Sequence, residues 1–230
     1  MILAIDTSTR YAGVALADTQ RVMASNCWYS SANHTAELMP AVARMVQNQG
    51  LIPRELEGIA VALGPGGFSA LRVGISAAKG LALAGKKPIA GIGTLELEAF
   101  PYLELGLPIC ALLDAGRGEV ASALFGDDGH RLRDDRIISP SALLDSITEP
   151  TIFCGEGVTP WVRLIQERPA PRGLVAAHPT PADRLWSLVA LARRRFAAGE
   201  ADDLASLQPH YLRMASIGSP KRRDRTPQQS

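Results

Sequence analysis

Two short turns carry the residues whose types could do chemistry. Asp6 ends the apolar run ILAI and is followed by Thr7, Ser8 and Thr9. A carboxylate at a strand end can order a magnesium ion and its waters, and the N–H groups of the turn can hold phosphate. A second turn of this kind, Asp114-Ala115-Gly116, follows the run CALL. Glycine lets a backbone approach phosphate closely, and the first turn has none. Asp6, Thr7, Ser8 and Asp114 therefore read as vestigial phosphate loops, an inherited shape more than a vigorous ATPase centre. A plain Asx turn also accounts for the first.

The stretch GPGGFSALRVG (64–74) places glycines between an apolar run and an apolar helix. It fails the P-loop pattern, because Ser69 and Ala70 stand where the second glycine and the lysine are needed, and Ser69 also breaks GxGxxG. What remains is a tight turn, with Ser69 expected to cap the helix that follows. That helix carries only Arg72, Ser76 and Lys79 as polar residues, so it is expected to be covered on two sides. Ala70, Gly74, Ala77 and Ala78 form a small-residue strip suited to close helix approach, and with Leu71 they are candidate partner-binding residues. A Gly74→Leu replacement is expected to block a complex while leaving the monomer folded. The four histidines (His34, His130, His178, His210) form no i, i+4 pair, so no metal site is expected. No GxSxG elbow is present.

The elements that must position these residues follow from periodicity. Residues 2–5, 12–17 and 22–28 read as hairpin-linked strands. Leu38, Ala41, Val42, Met45 and Val46 make one apolar helix face, closed by Gly50, with Pro40 kinking the helix or lying in its first turn. Leu38, Val42, Met45 and Val46 join the candidate partner-binding set. Residues 59–63 read as a doubly buried strand, and 88–92 as another, before the helix starting at TLELEA. The second half repeats this order: 2–18 can be laid over 110–127, matching Asp6 to Asp114 and Arg10 to Arg117. Strand 151–155 and helices at 161–168 and 184–199 complete it. The expectation is a duplicated mixed α/β unit, with lobes at 1–104 and 105–213 and a disordered tail at 214–230.

The net charge of +1 argues against a protein that grips nucleic acid unaided. The one basic cluster is Lys221, Arg222, Arg223 and Arg225 in the tail. No apolar run is long enough to span a membrane, MILAIDTSTR lacks the basic start of a secretory signal, and Cys27, Cys110 and Cys154 form no CxxC. A cytosolic protein with reduced thiols is expected.

ILAIDTST, HTAELMPAV, VALGPGGFSALRVGISAAKGLALA, GIGTLELEA, DAGRGEV and the late PHYLR together resemble the TsaB (YeaZ) family. DAGRGEV departs from the usual DARRGEVY, with Gly116 in place of an arginine and Ala121 where tyrosine is common. The resemblance implies an actin-like/Hsp70-like (ASKHA) fold of two RNase H-like lobes. It implies a non-catalytic partner of TsaD, the subunit that transfers threonylcarbamoyl to N6 of adenosine 37 in tRNAs reading codons that begin with A. TsaD's two metal-binding histidines fall at Thr94 and Glu98 here. The implied contact is a helix bundle from the first two helices of each N-terminal lobe, with the ATPase TsaE joining and tRNA met through the complex and only weakly by this chain. A homodimer through the same helices is an alternative. No cofactor is expected in the chain itself, and ATP or ADP at the subunit interface is the one candidate. Two other functions stay open: a free-standing ATPase or phosphotransferase of the sugar-kinase type using Asp6 and Asp114, and a metallopeptidase.

Overall fold

The computed structural model describes residues 1–31, 33–168, 173–176 and 181–213. The tail 214–230 with its basic cluster, and His178, lie outside the described residues.

Strands β1 (Ile2–Asp6), β2 (Tyr11–Ala17) and β3 (Val22–Tyr29) form an antiparallel meander, and β4 (Gly58–Gly64) and β5 (Ile89–Gly93) extend it in parallel. The order is β3-β2-β1-β4-β5. The second sheet, from β6 (Ile109–Gly116), β7 (Glu119–Phe125), β8 (Arg131–Ile138), β9 (Thr151–Cys154) and β10 (Gly173–Val175), has the equivalent order β8-β7-β6-β9-β10. The duplication expected from the sequence is present strand for strand.

Alternation along β1 divides the first lobe's core in two. Leu3 and Ile5 face α1 (His34–Asn48) and α2 (Phe68–Gly85), where Leu38, Val42, Leu71 and Ile75 complete the packing. Ala4 faces the other way. That side is floored by small residues, Ala15, Ala60, Ala62 and Ala90 among them, and α6 (Pro181–Ala197) lies on it through Leu185, Leu188, Val189 and Ala192. Helix α3 (Thr94–Ala99) makes the reverse crossing: its Leu95 and Ala99 pack on the second sheet. The far face of that sheet is covered by α4 (Pro140–Asp145) and α5 (Val162–Gln166). The first sheet's last strand ends at Gly93 and the second sheet's first strand begins at Ile109, while α6 and the segment after it rest on the first lobe. That segment is tied there by backbone bonds from Asp202 N to Ile89 O and from His210 N to Leu63 O, each 2.8 Å.

Local expectations change in three places. Pro40 lies in the second turn of α1, on its exposed side. Helix α2 starts at Phe68 with Gly67 as its N-cap, and no side chain caps it, so Ser69 does not. The turn before it is set by contact with the first hairpin: Gly67 N–H donates to Ser8 O at 2.9 Å, and a Cβ on Gly66 would overlap that same carbonyl. The cysteines are free, and burial pushes the Cys110 thiol up to about 12. No helix among the described residues is long and apolar enough to cross a membrane.

The inward face of α2 is the one proposed from sequence for a partner. Leu71 and Ala78 are fully buried in the lobe's own core, Ala70 and Gly74 are buried, and Ala77 is half-buried. Leu38, Val42, Met45 and Val46 of α1 are buried in the same core. Thr7 is the cause of this phase: its hydroxyl donates to Ala70 O at 2.7 Å, and a Cβ on Gly74 would overlap Thr7 Oγ1. The open face of α2 is instead Ser69, Arg72, Ser76, Gly80 and Leu83. The overlap at Gly74 argues against the expectation that Gly74→Leu would act on a complex alone and leave the monomer undisturbed. Gly74→Leu should lower stability by about 1–3 kcal/mol or more through overpacking. Gly80, whose Cβ would meet nothing within 4 Å, should accept leucine and gain up to about 1 kcal/mol of helix propensity. Urea unfolding of the two variants measures the contrast.

Candidate functional site

Helix α6 carries one charged side chain at an inward position. Arg184 is 2% exposed, and its guanidinium fills the seam between the lobes. Nε donates to Asp6 Oδ2 at 2.7 Å and Nη1 to Glu98 Oε1 at 3.1 Å. Nη1 also pairs with Glu156, which follows β9 in the second lobe. Nη2 donates to Thr9 Oγ1 at 2.9 Å and to Tyr11 O at 3.0 Å. Thr9 passes its own proton on to Glu156 Oε1 at 3.0 Å. One cation therefore ties β1, the first hairpin, α3 and the second lobe together.

The residues read as a phosphate loop are committed by this network. Asp6 is buried; its Oδ1 accepts from Ser8 N at 2.8 Å and Ser8 Oγ at 2.6 Å, while Oδ2 is taken by Arg184. Thr7 is engaged by Ala70. Asp114 differs: it is exposed at the cleft and accepts from Gly116 N at 2.8 Å, a self-contained Asx turn. The two turns face a shared cleft of about 490 Å³, but Asp6 lies beneath its surface while Asp114 lines it. Thr94 and Glu98 are both buried on α3, and Thr94 Oγ1 and Glu98 Oε2 have no hydrogen-bond partner among the described residues. Among the described residues, no group of three His, Cys, Asp or Glu side chains is placed to hold a metal ion.

The electrostatics follow from one guanidinium among three carboxylates. Burial pushes Glu98 from 4.5 up to about 7, against the pull of Arg184. Burial works against the Arg184 charge, but Asp6, Glu98 and Glu156 more than offset it and its pKa is raised. Sequence reasoning missed Arg184. The available signal was its place beside Leu185, Leu188 and Ala192 on the inward stripe of a helix.

Replacing Arg184 by methionine leaves buried carboxylates without their counter-charge and should cost about 3–5 kcal/mol, read by urea unfolding. The pH dependence has a definite sign. Folded Glu98 keeps its proton to about pH 7 while the unfolded chain releases it near 4.5, so its contribution falls as pH rises across that window. Glu98→Gln should flatten stability against pH between those limits; an unchanged slope would show that Glu98 does not titrate there.

The model for the family described as TsaD, tRNA N6-adenosine threonylcarbamoyltransferase, matches residues 29–152. The tRNA threonylcarbamoyladenosine biosynthesis protein TsaB of Bacillus subtilis is 30% identical over 93% of this chain and 94% of its own length. The solved structure of YeaZ from Pseudomonas aeruginosa superposes with a TM-score of 0.73 at 27% identity, covering 92% of this chain and 99% of that one. An inorganic polyphosphate/ATP-glucomannokinase from Arthrobacter shares the fold alone, with a TM-score of 0.51 at 14% identity over 84% of this chain and 98% of that one. The two-lobed architecture is that of the actin-like/Hsp70-like class. With a relative matched at this identity over nearly its whole length, the chain belongs to the TsaB family.

Proposed function

We propose that this chain is a non-catalytic subunit in threonylcarbamoylation of adenosine 37 of tRNAs reading codons that begin with A, and that it acts by binding and activating TsaD. The observation that carries the non-catalytic reading is Asp6: its outer oxygen bonds a buried guanidinium, at the position where a magnesium-ordering carboxylate would need to be open. A free-standing phosphotransferase would have to break that pair before each turnover. The family resemblance implies that Thr94 and Glu98 take the positions of TsaD's metal-binding histidines, and neither offers an imidazole.

The binding surface in this reading is the outer face of the α1–α2 pair. Leu83 is 71% exposed and Met39 43%, and they flank small residues: Ala43 on α1, Ser76 and Gly80 on α2. An exposed glycine within a helix costs about 1 kcal/mol relative to alanine, and a closely approaching helix offsets it. This face replaces the inward strip first expected from sequence. A second copy of the chain could use it when TsaD is absent. TsaE, and ATP or ADP at the subunit interface, remain parts of the proposal for the assembled complex.

Reconstitution tests it. tRNA modification by TsaD should depend on this chain, and Leu83→Asp with Gly80→Arg should abolish co-purification with TsaD while the monomer's thermal midpoint holds. Normal co-purification of that variant would exclude this face. Robust magnesium-dependent ATP turnover by the chain alone, lost in Asp6→Asn, would favour the phosphotransferase instead.

A further inference from the structure

Strands β3, β5, β8 and β10 end the two sheets, and all but one of these edges are blunted. The outer edge of β5 is taken by Asp202, whose N–H donates to Ile89 O at 2.8 Å and whose Oδ2 accepts from Gly91 N at 2.6 Å. Strand β10 has only three residues. Strand β8 carries five charged side chains in eight: Arg131, Arg133, Asp134, Asp135 and Arg136. Covered, short or charged edges resist pairing with another chain. Strand β3 is the exception. No strand among the described residues pairs with its outer edge, and its eight residues, VMASNCWY, include no charge, no proline and no glycine.

The register fixes which backbone groups of β3 are open. Ser30 N–H donates to Arg10 O at 2.7 Å, and the pairing with β2 runs unbroken from Tyr29 opposite Tyr11 to Ala24 opposite Leu16. Alternation along an antiparallel ladder then commits the N–H and C=O of Trp28, Asn26 and Ala24 to β2. Those of Tyr29, Cys27 and Ser25 face outward. The one irregularity, at Leu16/Ala17, falls at the strand's start. Side chains alternate as well: Ala24 and Trp28 pack on the α1 side and Cys27 on the α6 side. Tyr29 is 53% exposed and Met23 37%, so large apolar groups stand beside the open backbone.

We propose that β3 pairs antiparallel with β3 of a second copy of this chain, about a twofold axis at Asn26, joining the two first-lobe sheets into one. The strand is self-complementary in this register. Ser25 and Cys27 exchange backbone hydrogen bonds with Cys27 and Ser25 of the second copy. Trp28, the strand's largest side chain, lies opposite Ala24, its smallest, and Met23 lies opposite Tyr29. Asn26 faces its own copy in a non-hydrogen-bonded pair, where side chains approach most closely and one amide can bond the other. No like charges oppose one another across the axis. A register about Cys27 would instead set Trp28 against Asn26 and leave Met23 outside the pairing. One strand pair is small beside the roughly 800 Å² per partner of a standard interface, so the dimer is weak and depends on concentration. It uses no residue named on the outer α1–α2 face, so loss of this dimer and loss of TsaD binding are separate results.

The test is sedimentation equilibrium of the purified full chain from about 5 µM to about 500 µM, with three variants beside it. Ser25→Pro removes an outward N–H that β2 does not use. Ser25→Lys puts a charge on the open edge. Asn26→Cys, made together with Cys27→Ser, sets one thiol opposite its copy at a separation that a disulfide can bridge. Expected are a monomer–dimer equilibrium within that range and at least about tenfold weaker association in both Ser25 variants, with thermal midpoints held. The Asn26→Cys chain should become a covalent dimer under mild oxidation. The proposal is overturned if the unaltered chain stays monomeric throughout, or if a folded Ser25→Lys chain dimerises as well as the unaltered one. It is also overturned if Leu83→Asp with Gly80→Arg abolishes the dimer and the Ser25 variants do not.

Discussion

The guanidinium of Arg184 reaches from α6 into the seam between two sheets, and the geometry around that seam depends on what it binds. Its partners come from β1, the first hairpin, α3 and the turn after β9. A buried carboxylate without a counter-charge is costly, and so is a buried guanidinium. Each group is tolerable only while the others stay in place. The cluster therefore fixes the spacing of the lobes at the point where a nucleotide-using relative of the same fold would need freedom to open and close.

Packing reinforces the same constraint. Helix α6 of the second half covers the first sheet, and α3 of the first half covers the second. The final described segment then crosses back: Tyr211 packs with the first lobe's core and Leu212 with the second's. The lobes cannot separate without unburying both exchanged helices. In the function proposed above, what such a molecule offers a partner is a surface of fixed shape, the outer faces of α1 and α2.

Several strands were legible because short apolar runs end at Asp or Gly, as ILAI does at Asp6 and IAVAL at Gly64, and α1 was legible because its apolar residues keep helical spacing. The repeat could be read from Asp6 and Asp114, although burial later gives the two aspartates opposite surroundings. Helix α2 was legible as a helix but not in its phase. Its one outward marker is the narrow stripe of Arg72 and Ser76, which falls on the open face, while the small residues of the inward side suit a foreign helix as well as the lobe's own core. The phase is set by Thr7, more than sixty residues away, which takes Ala70 O and leaves room only for Gly74. The cap at Gly67 was hidden for a similar reason: the chain must pass over Ser8 O before the helix can start. Helix α4 and strand β10, of six and three residues, are too short to show a period. Arg184 was visible only as a charge on an inward stripe, and its three acidic partners are brought together by the tertiary fold.

The central claim is that Asp6 serves structure and not catalysis. It is tested most directly by neutralising the cluster as a unit, with Asp6→Asn, Glu98→Gln, Glu156→Gln and Arg184→Met in one chain, and measuring TsaD-dependent tRNA modification in the reconstituted system. The account predicts a folded protein that stimulates TsaD as well as the unaltered chain does. A folded quadruple variant that binds TsaD normally yet no longer supports modification would contradict it, because a carboxylate of the cluster would then be doing chemistry that no neutral substitute can perform.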